Sequence, residues 1–241
     1  MAVPVSGSFL SDRVTHLPGS DQIDRNTDVL GIFGGVFDPV HFGHIKPALA
    51  LQERFGFEQI RFIPCRQAPH KKAAGASAQH RRDMLGLVTH SIPEFVVDDR
   101  ELQRPGPSYT IDTLRELREE IGATHGLVLI LGIDAFSNFC SWHKFDEILS
   151  ICHIMLLRRP GYRLAGRGCE HELYEKHATD QITEVLEVPH GSIYLSDEQE
   201  FEISSSAIRQ CVAEGRQPRY LLPGNVWNYI RKHDLYRDSN A

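Results

Sequence analysis

Residues 31–44 read GIFGGVFDPVHFGH, a short apolar run ending in two adjacent glycines, then two histidines flanking a Phe-Gly pair. Gly34 and Gly35 let the main chain approach a ligand with no Cβ in the way. His41 and His44 add two imidazoles able to donate hydrogen bonds to phosphoryl oxygens. Pro47 helps locate a helix start, because a proline costs no hydrogen bond only among the first few helical residues. That places the start around Gly43 and His44, with His41 just outside, so both rings stand at the positive end of a helix, where an anion would lie. The chemistry this pattern suits is phosphate handling. It is neither of two better-known phosphate loops, since there is no G-x-x-x-x-G-K-[ST] and the glycines are not spaced G-x-G-x-x-G. A zinc site on His41 and His44 is a second reading, short of a third ligand and of an H-E-x-x-H pattern. A tight βα turn with incidental histidines is the third.

A loop of this kind needs a strand before it and a helix after it. Short, near-continuous apolar runs at 29–33, 59–64, 95–98, 126–132 and 153–157 predict strands buried on both faces. Between them, Ile45, Ala48, Leu49 and Phe55, and again Ile111, Leu114, Leu117 and Ile121, have helical spacing and enough length for crossovers. A β-α-β-α succession implies an α/β fold, a doubly wound parallel sheet with helices on both faces. Ligands of such sheets bind beyond the carboxyl ends of the strands, which is where residues 31–44 fall. Residues 160–195 have weak periodicity, with a short helix and the strand SIYLS, and two helical patterns near 204–214 and 223–233 close the chain. Residues 1–27 mix Ser, Gly, Pro, Asp and Thr without periodicity and are expected to form a flexible leader, with one domain over 28–238.

Composition bounds the partners. The 241 residues are 41% hydrophobic, enough for a substantial core, and carry a formal net charge of −6. No general attraction to nucleic acid or to an anionic membrane is expected, so any anion site must be built locally. No stretch approaches the roughly 18 apolar residues of a membrane span, and the expected location is the cytoplasm. Cys65, Cys140, Cys152, Cys169 and Cys211 are scattered, odd in number and free of C-x-x-C pairs. They argue against a disulfide framework and a thiolate zinc site, and are expected to be reduced thiols. Whether the protein is a homo-oligomer stays open.

GGVFDPVHFGH resembles the signature of the H-x-G-H nucleotidyltransferase superfamily. PHKK at 69–72, PSYTIDTL at 107–114, LGIDAFSNFCSWHKFDEIL at 131–149, RRPG at 158–161, ISSSAIR at 203–209 and YLLPGNVWNYIRKHDLY at 220–236 follow in the order shown by bacterial-type nicotinate mononucleotide adenylyltransferases. Ser206 stands where that family more often has Thr, which keeps the hydroxyl. The resemblance implies a Rossmann-like nucleotidyltransferase fold and the joining of nicotinate mononucleotide to ATP, with Mg2+ carried by the ATP. It implies catalytic roles for His41, His44, Lys71 and Arg209, with His44, taken to head the helix, the transition-state donor. It implies an ATP site of Gly34, Gly35, Phe37, His41, His44, Gly132, Asp134, Ile203, Ser204, Ser205, Ser206 and Arg209. The nicotinate mononucleotide site it implies comprises His70, Lys71, Ser108, Tyr109, Thr110, Asp134 and Trp142, with Trp142 stacked on the pyridine ring. Asp134 as an ordinary helix N-cap, Trp142 as a core residue and Ser108 as a hydrolase nucleophile are the competing readings. Transfer to nicotinamide mononucleotide or phosphopantetheine, and a nucleotide-binding module without turnover, are the rival functions.

Overall fold

The computed structural model describes residues 27–67, 75–159, 161, 166–199, 201 and 203–237, so the leader expected at 1–27 lies, but for Thr27, outside the described residues. The strands are β1 (Thr27–Gly35), β2 (Phe57–Pro64), β3 (Phe95–Val97), β4 (Gly126–Gly132), β5 (His153–Arg158), β6 (Ala178–Thr179) and β7 (Ile193–Gln199). They form one all-parallel sheet in the order β3-β2-β1-β4-β5-β7-β6. The helices are α1 (Phe42–Phe55), α2 (Ala78–Thr89), α3 (Arg100–Gln103), α4 (Thr110–Ile121), α5 (Ile133–Phe136), α6 (Phe145–Ile148), α7 (Cys169–His177), α8 (Ile182–Glu187), α9 (Ser205–Ala213) and α10 (Gly224–Lys232), with a 3₁₀ turn at Phe139–Ser141.

Alternation along the strands divides the core into two layers. Phe33, Phe62, Val128, Ile130 and Met155 meet Ala48, Leu51, Leu85, Ile208 and Ile230 on one face. Leu30, Ile32, Leu129, Ile154 and Leu156 meet Ile111, Leu114, Leu117, Phe136 and Phe139 on the other. A strand covered on both sides has no polar face to show, which is why all seven residues of β4 are buried and why its limits are those of the apolar run. The chain builds outward from β1 to β3, then restarts on the other side of β1 with β4. The crevice beyond the ends of β1 and β4 is therefore the switch point where such sheets take ligands.

Two expectations need correction, and one helix lies outside those the sequence spacing predicts. Pro47 lies at the sixth residue of α1, further in than a first-turn proline, and His44 is its third residue rather than its head. Helix α2 shows no clear apolar stripe in its Gln79–Asp83 half and escapes the spacing rule. Cys140 and Cys169 are disulfide-bonded, while Cys152 and Cys211 are free thiols. Their separation of 29 residues has no spacing signature, because the fold and not the sequence brings the 3₁₀ turn against the start of α7. Among the described residues no helix is long and apolar enough to cross a membrane.

Arg81 of α2 holds the base of the crevice. It is 1% exposed, and its Nη1 donates to the carbonyls of Val36 and Cys65 at 2.8 Å each. These two carbonyls begin the loops after β1 and β2, so one guanidinium fixes both. Arg81→Ala leaves two buried acceptors without that donor and a cavity beside them. We expect a loss of about 3 kcal/mol in urea unfolding, since a hydrogen bond to a charged group contributes roughly 1.5–3 kcal/mol; a loss below about 0.5 kcal/mol would contradict the clamp.

Candidate active site

His41 is the N-cap of α1 and 4% exposed; His44 sits one turn on. Their rings stack, centroids 3.8 Å apart and 28° from parallel. The His41 N–H donates to His44 Nδ1 at 3.3 Å, and an accepting Nδ1 leaves the proton of a neutral ring on Nε2. His44 is thereby set to donate from Nε2. Gly43 explains the residue between them. A Cβ there would lie 2.9 Å from the His41 ring and 3.3 Å from Ile203, so no side chain fits while the histidines stack. Phe37, held at φ 51, is 1% exposed and packs its ring edge-on to His44 at 5.0 Å. It supports the histidine from beneath, and its ring closes against Gly35, where a Cβ would approach it to 3.0 Å. Gly34 is different: a Cβ there would meet nothing within 4 Å, leaving open space for a ligand.

A cavity of about 540 Å3 lies over this loop, lined by His41, His44, Asp134, Arg159, Phe201 and the start of α9. Ser204 caps α9, accepting the Ala207 N–H at 3.1 Å, and the first-turn N–H groups of a helix attract anions. Gly132, Ile203, Ser205, Ser206 and Arg209 line the same space. The Ser205 hydroxyl donates to the Pro39 carbonyl at 3.0 Å, and Arg209 Nη1 donates to the Asp38 carbonyl at 2.7 Å. Both contacts tie α9 to the glycine loop across more than 160 residues of chain.

A second cavity, about 580 Å3, shares Gly34, Gly35, Val36, Leu131, Asp134 and Ala135 with the first. Ser108, Tyr109, Thr110 and Trp142 line it, at the N-terminus of α4. Tyr109 and His143 rings lie 4.5 Å apart at its rim, and Trp142 packs on Phe139 at 5.2 Å. The Ser108 hydroxyl accepts the Arg66 N–H at 3.1 Å, which engages it structurally. Asp134 stands in the wall common to both cavities and is not the cap of α5, a place taken by Gly132. Its Oδ2 pairs with Arg159 Nη1 at 2.5 Å, its Oδ1 with the Ala135 N–H at 2.9 Å. His70 and Lys71 lie outside the described residues.

Several residues at the site carry no obvious signal in the sequence. Asp38 is 2% exposed and its carboxylate gathers the N–H groups of Gly75 at 2.6 Å and Ala76 at 3.0 Å. Glu101, 8% exposed, lines the second cavity and accepts the Thr113 hydroxyl at 2.7 Å; burial pushes its carboxyl up. Arg159 belongs to a motif noted above, but its partner is set by the fold. Among the described residues no cluster of three or more His, Cys, Asp or Glu could hold a metal ion. The pair His41 and His44 stack face to face, unlike two ligands converging on one ion.

The cytidylyltransferase-like family model matches residues 32–211. The chain is 41% identical over 207 residues to a nicotinate-nucleotide adenylyltransferase of Salmonella typhimurium, covering 86% of this chain and 97% of that one. It is 39% identical over 211 residues to a probable nicotinate-nucleotide adenylyltransferase of Hahella chejuensis, covering 87% and 96%. In three dimensions it is similar to the Plasmodium falciparum nicotinic acid mononucleotide adenylyltransferase complexed with NaAD, at TM-score 0.68 and 18% identity over 86% of this chain and 97% of that one. That likeness is one of fold.

Burial pulls the His41 imidazole from an ordinary 6.5 down to about 4. Between those values the unfolded chain binds a proton that folded His41 refuses, so stability rises with pH across the window and is complete above it. Unfolding free energy should therefore drop as pH falls from about 6.5 to about 4, with at most about 1.4 kcal/mol per pH unit from this group. His153, also pulled down by burial, contributes in the same sense. Urea titrations of wild type and His41→Asn at several pH values isolate the His41 share; an identical pH dependence in both would refute it.

Proposed function

This chain belongs to the nicotinate-nucleotide adenylyltransferase family, and we propose that it transfers the adenylyl group of ATP to nicotinate mononucleotide. The observation that carries the reading is the pair of cavities meeting at Gly34, Gly35 and Asp134, one with histidines and a helix N-terminus, the other with aromatics and a second helix N-terminus. Two anions placed there meet at the shared wall. A phosphate oxygen of nicotinate mononucleotide attacks the α-phosphorus of ATP, a new O–P bond forms, and the bond to the β-phosphate bridge breaks. The products are nicotinate adenine dinucleotide and pyrophosphate. The nucleophile's second pKa near 6 leaves it largely ionised at pH 7, so no strong base is needed.

What remains is to hold two repelling anions in line and to meet the charge that builds on the leaving side. His44 donates from Nε2 to the α-phosphate, with His41 packed behind it. Arg209 and the first turn of α9 take the β- and γ-phosphates. Lys71, with His70 beside it, neutralises phosphate charge from the loop after β2, as the resemblance implies. The first turn of α4, at Tyr109 and Thr110, takes the nicotinate carboxylate, with Trp142 over the ring. Mg2+ would enter as part of Mg-ATP: Asp38 and Asp134 are already engaged by donors, so most of its ligands would be phosphate oxygens and water. We take residues 28–238 as the catalytic unit and the cytoplasm as its location.

The purified protein should release pyrophosphate from Mg-ATP with nicotinate mononucleotide, and at least about tenfold less efficiently with nicotinamide mononucleotide. The amide offers one acceptor oxygen and turns an NH2 toward donors, a loss of roughly 1.5–3 kcal/mol. Equal use of both would remove the carboxylate role from the α4 terminus. Release with neither, nor with phosphopantetheine, would leave a nucleotide-binding module. His44→Ala should lower kcat by about 100-fold or more with little change in ATP affinity, the effect of losing a transition-state donor; an unchanged kcat removes His44 from the chemistry.

A further inference from the structure

The closing segment YLLPGNVWNYIRKHDLY takes no part in the chemistry described so far, yet the fold returns its last residue to the site. Val226 and Ile230 anchor α10 in the core. After it the chain turns sharply, with Asp234 at φ 50 and Tyr236 at φ 64, both left-handed without being glycine. Such residues cost on the order of 1 kcal/mol each and persist where the surroundings hold them. What holds Tyr236 is Asp38: the phenol donates to Asp38 Oδ1 at 2.7 Å across 198 residues of chain. Its ring lies on Gly75, where a Cβ would come within 3.3 Å of the ring and 3.2 Å of Arg209 Cδ. Burial, and then the Asp38 charge, hold the phenol far above the ordinary tyrosine range, so it remains a donor at any working pH.

We infer that Tyr236 is a positioning residue for ATP, holding the buried Asp38 carboxylate so that Arg209 stays directed at the phosphates. The inference rests on the reading of the first cavity as the ATP site. An ionised carboxylate offers about four acceptor positions. Gly75 and Ala76 supply two N–H donors and Tyr236 a third. Arg209 Nη1 stands 3.5 Å from Asp38 Oδ2, beyond a close ion pair, while the same nitrogen donates to the Asp38 carbonyl at 2.7 Å. Arg209 Nη2 donates to Ser206 Oγ at 3.2 Å, on the cavity side. The guanidinium is thus balanced between a buried anion and the phosphate cradle. Without the phenol hydroxyl the carboxylate lacks a donor, and the partly exposed Arg209 guanidinium, 3.5 Å from Asp38 Oδ2, is the cation able to replace it. What Asp38 then gains, the β- and γ-phosphates lose.

The test is Tyr236→Phe in the full chain, which keeps the ring on Gly75 and removes only the hydroxyl. Mg-ATP affinity is measured by calorimetry, and KM for each substrate by pyrophosphate release. The expected result is a rise of about fivefold or more in both the Kd and KM for ATP, with the KM for nicotinate mononucleotide within twofold of wild type. In an Arg209→Ala background the same substitution should weaken ATP binding no further, because the residue through which it acts is gone. An unchanged ATP affinity overturns the inference, as does an equal rise in both KM values or an effect that persists fully in the Arg209→Ala background, each the mark of a merely structural anchor. A wild-type protein that binds Mg-ATP but releases no pyrophosphate would refute adenylyl transfer, while the calorimetric comparison would still decide the role of Tyr236.

Discussion

A carboxylate shut away from water must have its charge answered by donors from the chain itself, and the site of this protein is arranged around one such group. Asp38 is 2% exposed, and its answering groups come from the far end of the loop after β2, from α9 and from the last turn of the chain. None of these segments is near another in sequence. Each supplies a donor whose loss would leave the buried charge less well met. The Ser205 contact to Pro39 and the Arg209 contact to the Asp38 carbonyl continue the same seam. Arg81 closes it from below by holding the two loop carbonyls.

With a net charge of −6, the chain has no surplus of cations with which to draw in polyanions. Beside the few cations placed at the site, such as Arg209, oriented dipoles contribute: the N-termini of α9 and α4 line adjoining cavities, each with a partial positive charge that costs no counter-ion. The histidines follow the same economy. Burial keeps the His41 ring neutral, so it packs against His44 without like-charge repulsion. Gly43 is the steric condition for that stack, and Phe37 its floor.

The central strands were legible in the sequence because burial on both faces leaves an unbroken apolar run, as in LVLI of β4 and IMLL of β5. β6 has two residues and no pattern to detect, and α2 hides behind a polar first turn that contains Arg81. At the site, glycines and histidines were legible through their types and spacing. Asp38, Glu101 and Tyr236 were not, because nothing local distinguishes a buried carboxylate or phenol from a solvated one; their burial is decided by segments far along the chain. The signals that did exist were the glycine between the histidines, which only a crowded ring requires, and a tyrosine ending the closing motif after the helical pattern had stopped. The disulfide between Cys140 and Cys169 left no trace at all, since α7 is set against the 3₁₀ turn by the fold alone.

The bond between Tyr236 and Asp38 also orders events in time. A protein is synthesised from its N-terminus, and the sheet, both core layers and most of the histidine loop are specified before the closing turn has been made. Asp38 therefore receives its last donor only after every strand of the sheet has been synthesised, and a chain that stops before Tyr236 carries the whole sheet without the residue that completes the Asp38 cluster.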